Sequence, residues 1–306
     1  MKKIICVFVF SVIFFGVQGE IKVRNFIYAH RDTCDLSMDV YSRNLDLANK
    51  KPCLIYVFGG GFKNGSKSVV NNSDYLRVMS DSGYTVVAID YRLGMKNSNT
   101  KGLKRLNLLK KSIDMAVEDL FDATLFLMKH ANELNIDTSK IILCGSSAGA
   151  ITILQADYEL SNRHPIAGVM PEGFRYAAII SFAGGILSYN GEPTYKHAPA
   201  PTMFFHGTAD KLVRYNKIQV FNRGFFGSNA LASQFEKYNY PYFIYRYRDI
   251  GHEIAGYPLT RNLNDICMFI DDYVIHHRQL KKDVLVKDPE IKRVYYGNWK
   301  FRDMYK

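Results

Sequence analysis

The sequence predicts an open, mostly parallel β-sheet with helices on both faces, and two observations carry that prediction. Five short runs are almost continuously apolar: "CLIYVF" (53–58), "TVVAID" (85–90), "KIILCG" (140–145), "YAAIISF" (176–182) and "PTMFFHG" (201–207). Strands buried on both faces of a parallel sheet read this way. Between the runs lie segments of helical length, clearest over 112–134, where Ile113, Ala116, Val117, Leu120, Ala123, Thr124 and Leu127 recur every three or four residues. Buried strands alternating with helices imply a layered α/β sheet joined by crossovers. In such sheets ligands bind beyond the C-terminal ends of the strands, so the residues that follow each apolar run are the candidates for chemistry.

Taken in order, the chain starts with "MKK", an uncharged apolar run of 14 residues (4–17) and the small residue Gly19. That pattern predicts a secretory signal peptide cut after Gly19, and the run is too short for a membrane span of about 20 residues. An exported protein, periplasmic or secreted and without stable membrane insertion after cleavage, is therefore expected, with an uncleaved N-terminal anchor as the alternative. Next, "KVRNFIYAH" and "DLSMDVY" alternate apolar and polar residues, as strands exposed on one face do. No repeat, low-complexity tract or linker divides residues 20–306, so one domain is expected there.

The net charge of +11 falls to +9 once Lys2 and Lys3 leave with the signal. The cations are dispersed, with the densest cluster at "KGLKRLNLLKK" (101–111), which reads as a solvated loop or helix face. No nucleic-acid motif accompanies them, and no nucleic-acid partner is expected. Cys34, Cys53, Cys144 and Cys267 lack ligand-like spacing. Cys53 and Cys144 lie inside apolar runs and read as small core residues, which leaves a Cys34–Cys53 bridge as an open pairing. No metal or other cofactor is expected, because no His, Cys or carboxylate cluster has the spacing of a metal site.

The chemistry-bearing residues follow the strands. In "KIILCGSSAGA", Gly145, Ser147 and Gly149 occupy the G-x-S-x-G positions, between a strand and a helix. Small flanking residues let the chain turn sharply and leave the serine exposed at the tip of a strained turn. Ser146 fits no such frame, so Ser147 is the candidate nucleophile and Ser146 a supporting residue. A serine hydroxyl needs a base, and the base an orienting carboxylate. Of eight histidines, His206 and His252 follow strands. His252 as base with Asp210 as acid gives the order Ser, Asp, His, with spacings of 63 and 42 residues that leave room for helices between strands. His206 is then structural, and Asp249 and Glu253 are weaker rivals for the acid. Three glycines after Phe58 can bring backbone N–H groups close to a ligand. Gly60 and Gly61, with Ala148 after the serine, are the candidate oxyanion donors. No Lys-Ser/Thr pair follows these glycines at the required spacing, which excludes a phosphate-binding P-loop.

With these pieces in place, the chain resembles an α/β-hydrolase of the carboxylesterase/lipase type that carries an HGGGF-type oxyanion loop. The resemblance rests on "FGGGF" (58–62), "AIDYRL" (88–93), "VEDLFDATLFL" (117–127), "GSSAG" (145–149), "HGTAD" (206–210) and "GHE" (251–253), and covers roughly residues 35 to 275. It implies the α/β-hydrolase fold and a serine esterase, with exported bacterial acetyl and feruloyl esterases as the similar type. It therefore implies removal of such acyl groups from small-molecule or polysaccharide-linked esters. One departure is visible: the family's histidine before the glycines is Phe58, so the loop must be held by other means. Phe225 and Phe226, after the acid loop, are candidates for the wall of a pocket for an aromatic acyl group. Residues 94–111 are a second pocket-shaping segment, and the basic, aromatic tail 283–306 is expected to dock on the domain. The alternatives are a serine peptidase of the same fold, commonly built with a large accessory domain for which these residues show no segment, and a lipase. The lipase would need a larger apolar lid than 94–111 provides.

Overall fold

The computed structural model describes residues 20–43, 49–71 and 73–293. The expected signal segment 1–19 and the tail beyond residue 293 lie outside the described residues. In chain order, β1 (Ile21–Arg31) and β2 (Cys34–Arg43) form a hairpin, followed by β3 (Lys51–Val57), α1 (Asp74–Asp81), β4 (Thr85–Ile89), α2 (Gly102–Lys129), β5 (Ile136–Ser146) and α3 (Ala148–Ser161). Then come β6 (Ala178–Phe182), β7 (Gly185–Ser188), β8 (Thr202–Gly207), β9 (Lys217–Val220), β10 (Arg223–Gly227) and α4 (Ser228–Lys237). β11 (Tyr242–Tyr247), α5 (Pro258–Arg261), α6 (Leu263–Ile270) and β12 (Lys281–Val286) complete the described chain.

Among the described residues, nine strands make one sheet in the order β1-β2-β4-β3-β5-β6-β8-β11-β12. β1, β2 and β4 pair antiparallel, and every neighbouring pair from β4 to β12 is parallel. The burial of the strands follows from their chemistry. All residues of β4, β6 and β8 are buried, as are Cys53–Val57 of β3, whereas β1 alternates and exposes Val23 and Ile27 at the edge. The five apolar runs thus become the five central strands. A smaller antiparallel sheet, β7-β10-β9, stands beside the main one.

α3 is the central helix. Twelve of its fourteen residues are buried, because it packs on the strands around its own entry point. α2 lies across α3 and β1. It begins ten residues before the predicted start at 112 and ends at Lys129, not 134. The early start has an apolar cause: Leu106, Leu108 and Leu109 pack against the core, so the cluster at 101–111 is helix wall as well as solvated face. Within α2, the fully buried Asp119 accepts from the Arg92 backbone N–H at 2.8 Å and from the Arg31 guanidinium at 2.9 Å. A buried charge is tolerated when paired and hydrogen-bonded in this way. The network ties β1 and the segment after β4 to the helix.

The four cysteines of the described residues are free, with no Cys34–Cys53 bridge: Cys53 is buried in β3 and Cys34 is exposed at the start of β2. The first residues of the tail do dock. β12 lies parallel to β11, Arg246 grips Asp283 at 2.6 Å, and Lys282 sits 5.3 Å over the Phe243 ring. No helix of the described residues is long and apolar enough to cross a membrane.

Candidate active site

The C-terminal ends of β3, β5, β8 and β11 bring the sequence candidates together. After β5 the chain turns through Ser147 at φ 51°, ψ −114° and enters α3 directly. Few non-glycine residues accept a positive φ, so the turn stores strain at this one position. It is held from both sides. The Ser147 N–H donates to the Phe182 carbonyl at 2.8 Å, and the start of α3 rests on the end of β3. A Cβ at Gly149 would sit 2.0 Å from the Val57 oxygen, which is why the second glycine of the motif is required. Ser146 takes the supporting role: its Oγ donates to the Ala255 carbonyl at 2.6 Å and pins the turn that carries His252.

Ser147 Oγ lies 2.8 Å from His252 Nε2, and His252 Nδ1 lies 2.7 Å from Asp210 Oδ2. Three residues separated by 63 and 42 positions thus form one hydrogen-bonded line. Asp210 is 3% exposed, and its Oδ1 accepts the N–H groups of Leu212 and Val213 at 2.8 and 3.0 Å. Burial by itself would raise the Asp210 pKa. Hydrogen bonds from His206 and His252, and the charge of those rings, overcome it and hold the carboxyl well below the usual carboxylate range. The acid therefore stays ionised and fixes the orientation of the imidazole. Fully buried His206 is structural: its ring meets the Ser228 hydroxyl at 2.8 Å and the Val213 carbonyl at 3.0 Å, with Asp210 at 3.3 Å. Asp249, a rival for the acid, is exposed and 3.7 Å from Arg248.

The glycine loop after β3 faces Ser147. Gly60 has φ +102°, and a Cβ there would fall 1.9 Å from the Asn64 oxygen. Its carbonyl accepts the N–H groups of Lys63 and Asn64, which closes a tight turn. Phe58, standing where a histidine was expected, stacks on Tyr91 with ring centroids 4.4 Å apart. The Tyr91 hydroxyl donates to the Phe58 carbonyl at 2.9 Å and reaches that of Gly59 at 3.3 Å. The Met95 N–H adds a bond to the Phe62 carbonyl at 2.9 Å. Tyr91 is thus the support that sequence reasoning missed. The available signal was its place in "AIDYRL", the first large polar-tipped side chain beyond a buried strand.

These groups open on a cavity of about 630 Å³. Gly59–Gly61, Ser147, Ala148 and His252 form one side of it, and Arg105, Leu106 and Leu109 of α2 face them. Phe225 lines the cavity, but Phe226 does not. Side chains alternate along a strand, so Phe226 turns from β10 into the core and is 1% exposed. Chemically, a hydroxyl placed against an imidazole that is backed by a carboxylate can pass its proton to the ring as it attacks a carbonyl carbon. Backbone N–H groups at a helix start favour negative charge beside it.

Comparison with known proteins agrees with this architecture. Residues 38–184 match the family model described as BD-FAE. No curated protein matches the chain. Among solved structures, the apo form of Thermogutta terrifontis esterase 2 is similar at 21% identity with a TM-score of 0.60, covering 87% of this chain and 97% of that one. The same esterase phosphorylated by paraoxon matches at 20% identity, TM-score 0.60, over 86% of this chain and 96% of its own. Its butyrate-bound form, from the same Planctomycetes species, matches at 20% identity, TM-score 0.60, with coverage of 86% and 96%. Across such low identity, what is held in common is the arrangement of strands and helices: the protein has the α/β-hydrolase fold.

Proposed function

We propose that the protein is an exported serine carboxylesterase, with Ser147 as nucleophile, His252 as general base and acid, and Asp210 as the carboxylate that orients it. The observation that carries this reading is the hydrogen-bonded line from Ser147 Oγ through His252 to Asp210, at 2.8 and 2.7 Å, facing a cavity. His252 takes the serine proton as Oγ attacks the ester carbonyl. The N–H groups of Gly60, Gly61 and Ala148 hold the oxyanion, each such donor contributing about 3–4 kcal/mol to the transition state. His252 then protonates the leaving alcohol, and water releases the acid by the same route.

The substrates proposed are acetyl or feruloyl-type esters of carbohydrates. The match to the BD-FAE model supports an esterase, and the resemblance of the motifs to acetyl and feruloyl esterases supports that substrate class. So does the aromatic Phe225 in the wall of a cavity sized for a small ligand. The basic start and 14-residue apolar run at the N-terminus support export, and N-terminal sequencing of the exported protein should begin at Glu20.

The decisive experiment is hydrolysis of p-nitrophenyl acetate and methyl ferulate by the purified protein and by Ser147→Ala. The variant should lose roughly 10⁴-fold or more in kcat. A serine-directed phosphonate should label the wild type at Ser147. A folded protein that hydrolyses neither ester, or a Ser147→Ala variant that keeps its activity, would overturn the reading.

A further inference from the structure

We infer that the preferred ester carries a carboxylate near the scissile bond, received by Arg105, Lys63 and Arg214. This rests on the esterase reading above and deepens it, because it concerns the charged side chains around the same cavity.

Three observations support it. First, Lys63 from the glycine loop, Arg105 from α2 and Arg214 from the segment after Asp210 all line the cavity that holds Ser147. Each is half-buried, and no Asp or Glu is among the lining residues. Three cations from three separate elements therefore meet in a cavity whose remaining wall is largely Leu, Ile, Val, Met and Phe. Second, neither Lys63 nor Arg105 has an acidic partner among the ion pairs of the described residues. A positive charge beside apolar surface interacts with an anion more strongly than one in open water does. The planar guanidinium is also shaped to grip a carboxylate with two hydrogen bonds.

Third, the cations of α2 sit where the helix itself would not place them. Residues 101–105, the cap and first turn, carry Lys101, Lys104 and Arg105 and no acidic residue. The helix has no side-chain cap at Lys101 and no acid in its first turn. Positive charge at a helix start opposes the helix dipole. The same chain builds a favourable start on α1, where Ser73 accepts the Leu76 N–H at 3.1 Å and Asp74 occupies the first turn. A local rule kept in one helix and broken in another, at the wall of the reactive cavity, points to a ligand as the cause. The excess of positive charge over the whole chain adds long-range attraction of the same sign.

The carboxylate has two possible sources, the acid or the alcohol part of the ester, and two isosteric pairs distinguish them. For the acyl side, mono-4-nitrophenyl adipate is compared with 4-nitrophenyl 6-methylheptanoate. For the alcohol side, 4-acetoxybenzoate is compared with 4-isopropylphenyl acetate. In one pair the anionic ester should show kcat/KM about tenfold or more above its neutral partner at low salt. That ratio should shrink in 0.5 M NaCl as surface charge is screened. It should also fall about tenfold in Arg105→Gln, with a smaller fall in Lys63→Gln. The ratio is internal to each preparation, so partial loss of folded protein does not move it. If the neutral ester is preferred in both pairs, the inference is overturned while the esterase stands. If all four esters are inert, the esterase reading itself fails, and the inference with it.

Discussion

The two walls of the cavity are built on different principles. The reactive wall, from the end of β3 through Ser147 into α3, is backbone packed on backbone: a Cβ at Gly149 would fall 2.0 Å from the Val57 oxygen, and one at Gly60 would fall 1.9 Å from that of Asn64. The opposite wall, from α2, β10 and the segment after Asp210, is made of side chains on elements that meet only in three dimensions. The first wall has almost no freedom to vary. The second can change one side chain at a time, which is where substrate preference should be adjusted.

This contrast can be broken or sharpened by substitution. The largest effect should come from Asp210→Asn, which keeps the shape but not the charge that orients His252. A loss of about 10⁴ in kcat, roughly 5 kcal/mol, is expected, with KM little changed, from steady-state kinetics. Because the folded pKa of Asp210 is depressed, its stabilising contribution is present above the ordinary carboxylate pKa of about 4. It declines progressively once pH drops below that value and is gone below the lower folded one. Urea unfolding from pH 7 down to pH 3 should therefore show less acid sensitivity in Asp210→Asn than in the wild type.

Gly149→Ala comes next. Backbone cannot move aside as a flexible side chain can, so about 3 kcal/mol or more of stability should be lost in urea unfolding. A tolerated alanine would mean that the reactive wall is less constrained than described. Tyr91→Phe removes one hydroxyl behind the glycine loop while keeping the stack on Phe58. About 1–1.5 kcal/mol of transition-state stabilisation, close to a tenfold fall in kcat, is expected. An unchanged kcat would show that stacking alone positions the loop. The smallest effect belongs to the other wall: Phe225→Ala should raise KM for methyl ferulate a few-fold and leave acetate hydrolysis nearly unaltered.

The reactive wall was legible for a physical reason. Strands buried on both faces must be apolar throughout, so "KIILCG" and its four companions announce themselves, and contacts without room for a Cβ require glycine at fixed spacing. Asp210 and His252 could be placed beside Ser147 because strand ends in such a sheet face one site. The opposite wall was not legible in the same way. The first ten residues of α2 lack a cap and carry cations that argue against a helix start, and only packing of Leu106 and Leu109 makes them helical. Phe225 and Phe226 are equivalent in composition, and only the register of β10 on β7 separates lining from core. Tyr91 was passed over because its function lies in a bond to a backbone 33 residues away.

β12 has a consequence for how the molecule behaves in company. β11, "YFIYRY", has four aromatics in six residues, and its outer backbone edge is already paired by β12. The new edge opens with Lys281, Lys282 and Asp283, charges that discourage a neighbouring chain from adding a strand. A version of the chain shortened before Lys281 would exchange this guarded border for an aromatic one, a template for self-association in concentrated solution. The docked tail is thus a matter of solubility as much as of folding, and a C-terminal truncation made to simplify the protein would be the change most apt to make it precipitate.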